Sequence, residues 1–166
     1  MLNAHDVYVL VALTQIEGGW TYEELGQRLA MPLSQVYKSL ARAEKAHLFA
    51  RDTRHVVVRN LLEFLIHGVK YAFAVEPGKL VRGVAASWHA PRLSELMVVD
   101  ELEERVWPHP EGQVRGQSIE PLHESVPLVA LTNENLHALC ALIDIIRVGS
   151  ARERKVAADE LERRLA

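Results

Sequence analysis

Proline partitions this chain. Of seven prolines in 166 residues, Pro32 alone precedes residue 77; Pro77, Pro91, Pro108, Pro110, Pro121 and Pro127 follow, and none lies beyond 127. Proline fixes φ and lacks an amide donor, so it disrupts helix interiors and central strands. Residues 1–76 and 133–166 are therefore free to form helices, and 77–132 should hold short strands and irregular chain. The expected fold is mainly α with small β (α+β). An apolar share of 49% with 25% charged residues is that of an ordinary globular chain and excludes intrinsic disorder. The longest apolar run, Val7 to Leu13, is far short of the ~18 residues a membrane helix needs. Asn3, His5 and Asp6 interrupt any basic-then-apolar leader pattern. A single cysteine, Cys140, excludes an intrachain disulfide and fits a reducing cytoplasm, which is the expected location.

Periodicity predicts a first helix from about Ala4 to Glu17, stopped by Gly18-Gly19, with Val7, Leu10, Val11 and Thr14 on one side. Thr21-x-x-Glu24 is a capping box that opens a second helix, with Tyr22, Leu25 and Leu29 as its inward stripe. After the turn Met31-Pro32, a third helix should run from Leu33 to Ala46 with Val36, Leu40 and Ala43 inward. Two β-prone runs around Asp52-Thr53-Arg54 read as a hairpin. Asn60-x-x-Glu63 suggests a second capping box, starting a helix that should end near Val75 and is apolar nearly all round. In the middle, Leu80–Ala85, Arg105–Trp107 and Gln113–Ile119 are candidate strands, the last two joined as a hairpin through Pro108 to Gly112. Beyond Thr132, Leu136, Leu139, Cys140, Ile143 and Ile146 form one stripe; Gly149 stops that helix and Ser150-x-x-Glu153 starts a charged last one.

The net charge is −3, yet between Leu33 and Asn60 there are six basic residues (Lys38, Arg42, Lys45, Arg51, Arg54, Arg59) and two acids (Glu44, Asp52). A phosphate backbone feels such a local surplus rather than the global sum. Helix, capped helix, tight turn, helix and hairpin is the order of a winged helix-turn-helix. With Val36 and Leu40 inward, the third helix turns Ser34, Lys38, Ala41 and Lys45 outward, flanked by Gln35 and Arg42 on one side and Tyr37 on the other. Ser, Gln, Lys and Arg bond base edges and phosphates, and an α-helix fits a major groove ~12 Å wide. Arg51, Thr53 and Arg54 on the hairpin are suited to phosphate or a narrow minor groove.

The stretch from Thr21-Tyr-Glu-Glu-Leu-Gly through Met31-Pro32-Leu33-Ser34-Gln35-Val36-Tyr37-Lys38 to Arg51 resembles the winged-helix domain of prokaryotic MarR-like transcriptional regulators. The likeness covers about residues 4 to 75. It implies DNA binding, with Ser34, Gln35, Lys38 and Arg42 at the major groove and Arg51 to Arg54 at the wing tip; Thr21, Tyr37 and Thr53 complete the expected contact set. Pro32 stands where many relatives have a Ser or Thr cap, and the chain beyond residue 76 departs from the family pattern, so the family's ligand pocket does not carry over.

Other constellations are weaker. His137 and Cys140 have a spacing metal ligands use, but Cys140 lies in the apolar stripe and reads as a core thiol. Trp88-His89 and Trp107-Pro108-His109 suggest buried indoles ahead of a small-molecule pocket. Glu101, Glu103 and Glu104 read as a solvated acidic face. Val114 to Leu122 reads either as a strand with a glycine bulge at Gly116 or as an edge for a partner. No nucleophile elbow, P-loop or dinucleotide fingerprint is present, so neither an enzyme nor a cofactor or metal site is expected. The expected function is a dimeric, cytoplasmic, sequence-specific repressor of transcription acting on double-stranded DNA. The alternative is a protein-binding winged-helix adaptor, or an antitoxin-type autorepressor, whose middle and C-terminal regions (77–132 and 133–166) bind a partner.

Overall fold

The computed structural model describes residues 1–98 and 104–166. Its first helix, α1 (Ala4–Thr14), buries every residue from Asp6 to Leu13. The sequence suggested one inward stripe; instead the helix is enclosed on all sides, between α3 (Leu33–Lys45), the hairpin after it and α7 (Glu134–Val148). A helix of β-branched and leucine residues with no charge past Asp6 requires such cover. α2 (Tyr22–Leu29) opens as expected, the Thr21 hydroxyl accepting from Glu24 N–H at 3.0 Å and the Glu24 carboxylate accepting from Thr21 N–H at 3.2 Å. α3 follows a three-residue turn and buries Val36, Ser39, Leu40 and Ala43. The two-residue strands β1 (Phe49–Ala50) and β2 (His55–Val56) pair antiparallel as the hairpin.

The next helix departs from expectation at both ends. α4 (Val58–His67) starts before Asn60, whose side-chain amide donates to the His47 carbonyl at 2.8 Å and so does not cap it. It stops at Gly68, where a Cβ would press on the Phe64 ring at 2.8 Å, and the chain resumes as the short α5 (Val69–Ala72). Only Leu61 and Leu65 of α4 are fully buried; Leu62, Phe64 and Ile66 remain half-buried.

β3 (Leu80–Ala85), β4 (Arg105–Pro108) and β5 (Val114–Ser118) occupy the expected segments, but the hairpin between the last two does not form. β3 is antiparallel to both, and β4 and β5 pair parallel, closing a three-stranded ring. Glycine permits this closure: a Cβ on Gly83 would strike the Trp107 carbonyl, and one on Gly116 the Glu104 carbonyl. Gly116 therefore serves close approach within an unbroken register rather than a bulge, and β5 pairs with β3 over Val114–Gln117 and with β4 at Gln117 and Ser118. α6 (Val126–Ala130), unforeseen in the sequence, leads to α7, which is capped by Asn133. α8 (Ala151–Leu165) starts at the predicted Ser150–Glu153 capping box.

The fold is thus mainly α with small sheets. One apolar cluster joins α1, Trp107 of the ring, α7 and α8. Trp88 and Trp107 are 1% and 0% exposed, and their indole N–H groups donate to Glu153 at 3.0 Å and Asp144 at 2.6 Å. Arg147 holds the other Asp144 oxygen at 2.7 Å and reaches the Phe73 carbonyl at 2.9 Å, tying α7 to α5. Cys140 is a buried thiol, pushed up from its ordinary pKa by burial. His137 donates to the Ala85 carbonyl at 2.6 Å, and burial lowers its pKa. Asp100, Glu101 and Glu103 lie outside the described residues; Glu104, expected in solvent with them, is buried beside the His89 ring. Among the described residues no helix is long and apolar enough to cross a membrane.

Candidate nucleic-acid interface

α3 has two unlike faces. Inward, Val36, Leu40 and Ala43 are wholly buried. Outward, Leu33, Ser34, Tyr37, Lys38 and Lys45 are exposed, and Ala41 is partly so. No acid lies among them, since the helix's only acid, Glu44, sits half-buried at its edge. Lys38 and Lys45 have no hydrogen bond or ion pair among the described residues, so their ammonium groups point free into solvent. Pro32 precedes the helix with extended backbone (φ −58°, ψ 141°) and supplies no side-chain cap, its carbonyl accepting from the Gln35 and Val36 N–H groups at 3.0 and 3.2 Å.

Arg42 does not belong to the open face. Its guanidinium clamps the fully buried Asp6 of α1, Nε to Oδ2 and Nη2 to Oδ1, each at 2.8 Å. Nη2 also lies 3.0 Å from His5 Nε2 and 3.4 Å from the Ser39 hydroxyl. The bond to Asp6 raises its pKa. Helical spacing placed Arg42 at the rim of α3 correctly. What it could not supply was a partner 36 residues earlier. Arg42 is thus corrected from a groove-reading residue to the tie between α1 and α3.

Gln35 is half-buried, and its side-chain oxygen accepts from His123 Nε2 at 3.1 Å. His123 Nδ1 lies 2.8 Å from the Ser125 hydroxyl and 3.0 Å from the Ser125 N–H. Because guanidinium only donates, His5 Nε2 must be an acceptor toward Arg42. His5 is therefore held neutral on that side. Burial lowers both pKa values, aided by Arg42 at His5 and by His5 at His123. The His5 and His123 rings meet edge-on at 5.8 Å, and Tyr8 stacks on His123 at 6.0 Å. This polar cluster, spanning α1, α3 and the loop before α6, had no signature in the sequence, because its members are dispersed from residue 5 to residue 125.

Comparisons of this chain with protein-family models, with curated proteins and with solved structures return no match.

The hairpin is less free than its composition implied. Arg54 takes a left-handed conformation (φ 59°), turns back onto Trp20 with its guanidinium 4.1 Å from the ring centroid, and donates to the Trp20 carbonyl at 2.6 Å. Arg51 bonds Glu44 at 2.9 Å and lies 5.8 Å from the Tyr37 ring. Trp20, Tyr22 and Tyr37 form a ladder with centroids 5.2 and 5.1 Å apart. Arg51 and Arg54 therefore brace the hairpin against α2 and α3 and do not project from its tip. Thr53 is exposed at that tip, its carbonyl accepting from His55 Nδ1 at 2.5 Å. Thr21 acts as the α2 cap. The structure thus gathers Ser34, Tyr37, Lys38 and Thr53 on accessible surface, engages Gln35, Arg51 and Arg54 internally, and withdraws Arg42. Trp20 and Tyr22 are the residues sequence reasoning missed, because their arginine partner Arg54 lies more than thirty residues further along the chain.

Proposed function

We propose that this chain is a sequence-specific DNA-binding transcriptional regulator of the winged-helix, MarR-like kind. In this reading α3 lies in the major groove and the hairpin lies against the neighbouring backbone or minor groove. The observation that carries it is the open, acid-free face of α3, with Ser34, Tyr37 and Lys38 directed away from the core while α2 braces the helix from behind. Ser34 and Lys38 supply base-edge or phosphate bonds, and Tyr37 an apolar ring with a hydroxyl. The aromatic ladder and its two arginines hold the hairpin at a set angle to α3, which supports a preformed two-part surface.

One module offers few phosphate contacts, so the functional unit in this proposal is a homodimer on two half-sites ~34 Å apart, acting as a repressor by occluding a promoter. The half-buried Leu62 and Ile66 of α4 are the apolar residues proposed to face the second copy. Fluorescence anisotropy with the chain's own promoter duplex tests the reading. Affinity should fall steeply as salt rises and should exceed that for scrambled sequence. A flat salt response, or equal binding to scrambled DNA, would overturn it.

A further inference from the structure

The ring carries a charge arrangement that the α3 interface does not use. On the antiparallel β3–β5 pair, Arg82 stands directly opposite Arg115, and both are exposed. Paired residues of this kind have Cβ atoms ~4.5–5.5 Å apart, and like charges so placed destabilise a sheet. Among the described residues neither guanidinium has a hydrogen bond or an acidic partner. Leu80 and Gln117 form the next cross-strand pair but one, extending the strip with an apolar side chain and an amide.

Two guanidinium forks held side by side on rigid strands have the geometry that grips phosphate oxygens, each offering parallel N–H donors. An anion between them converts the repulsion into attraction. The position of the strip supports a nucleic-acid occupant. Arg115 is eight residues from His123, a chain reach of at most ~28 Å, and His123 bonds Gln35 at the start of α3. With the His123–Gln35 side-chain bridge added, the strip lies within about 40 Å of the proposed reading helix, little more than one helical turn of duplex.

We propose that Arg82 and Arg115 form a second, sequence-independent site for the phosphate backbone of duplex DNA. The proposal rests on the DNA-binding reading of α3 but concerns a different surface. The decisive variant is Arg115→Glu, which removes one fork and occupies the other in a cross-strand ion pair. Its melting temperature should rise, because a like-charge opposition becomes an attraction. Its affinity for a mixed-sequence 30-base-pair duplex, measured by anisotropy, should fall roughly tenfold or more, and the slope of log K against log salt should become shallower by ~1.8, the share of two phosphates.

The preference for promoter over scrambled duplex should stay as in the wild type. Unchanged affinity in Arg115→Glu, with loss in Lys38→Ala, would overturn this site and leave the α3 reading standing. A wild type that binds no duplex would overturn both. Unchanged duplex affinity with binding to polyglutamate would reassign the pair to an acidic protein and overturn the proposal. Should Arg115→Glu melt lower than the wild type, the double variant Arg82→Gln, Arg115→Gln decides: weakened binding at native melting temperature supports the site, and full affinity removes it.

Discussion

Lys38 and Arg42 are neighbours one turn apart on α3, and their roles are opposite. Lys38 stands in solvent with no partner among the described residues, whereas Arg42 is folded inward onto a carboxylate with no exposure. The difference shows that positive charge on a helix is not by itself a binding surface. What matters is whether the fold has already supplied the counter-charge. The same division separates Arg51 and Arg54, committed to Glu44 and Trp20, from Arg82 and Arg115, which stand opposite each other with no acidic partner among the described residues.

Mutation can break this contrast. The largest effect is expected from Arg42→Ala, which strands the buried Asp6. Removing one partner of a buried pair costs ~3–5 kcal/mol, and in a chain of this size that lowers the melting temperature on the order of ten degrees. Thermal melts check it, and a variant as stable as the wild type would show the clamp to be dispensable. Next comes Lys38→Ala, for which the melting temperature should hold while promoter affinity drops by ~1–3 kcal/mol in an anisotropy titration. Sequential loss of both properties in one variant would mean that Lys38 also supports the fold.

A smaller effect sharpens the inward side. His5 and His123 have folded pKa values below the ordinary 6.5, so the unfolded chain takes up protons first as the medium is acidified. Their contribution to stability should be complete above pH 6.5 and decline as pH falls from there through the lowered folded values. Melting temperatures between pH 7.5 and 5 should show this decline, and the double variant His5→Gln, His123→Gln should flatten it. The smallest effect is expected from Arg51→Ala: its bond to Glu44 joins two side chains that are 41% and 43% exposed, and such surface pairs contribute ~0.2–1 kcal/mol. Urea melts should barely move, while loosening of the hairpin against Tyr37 should appear as faster amide exchange around residues 51–54.

Legibility in the sequence followed the range of the interaction. The capping boxes at Thr21 and Ser150 were readable because both partners lie within one turn. The proline distribution located all three strands of the ring. Their closure was not readable, because the parallel β4–β5 contact depends on backbone passing against Gly83 and Gly116 from elements far apart in sequence. The helix expected to reach Val75 stops at Gly68, and nothing local indicates that the Phe64 ring fills the space of a Cβ there. At the candidate site, helical spacing sorted inward from outward residues on α3 correctly. It could not reveal that Asp6, Trp20 and Glu44 would engage all three arginines expected to meet DNA.

A ring of strands also bears on how the molecule behaves when crowded. Sheets grow into fibrils by templating unpaired amides, and β3, β4 and β5 each border both of the others, which leaves only short stretches such as Val114–Arg115 paired on one side. Despite its valine- and tryptophan-bearing strands, this region offers an incoming chain a ladder of two or three residues at a time, too short to template a long sheet.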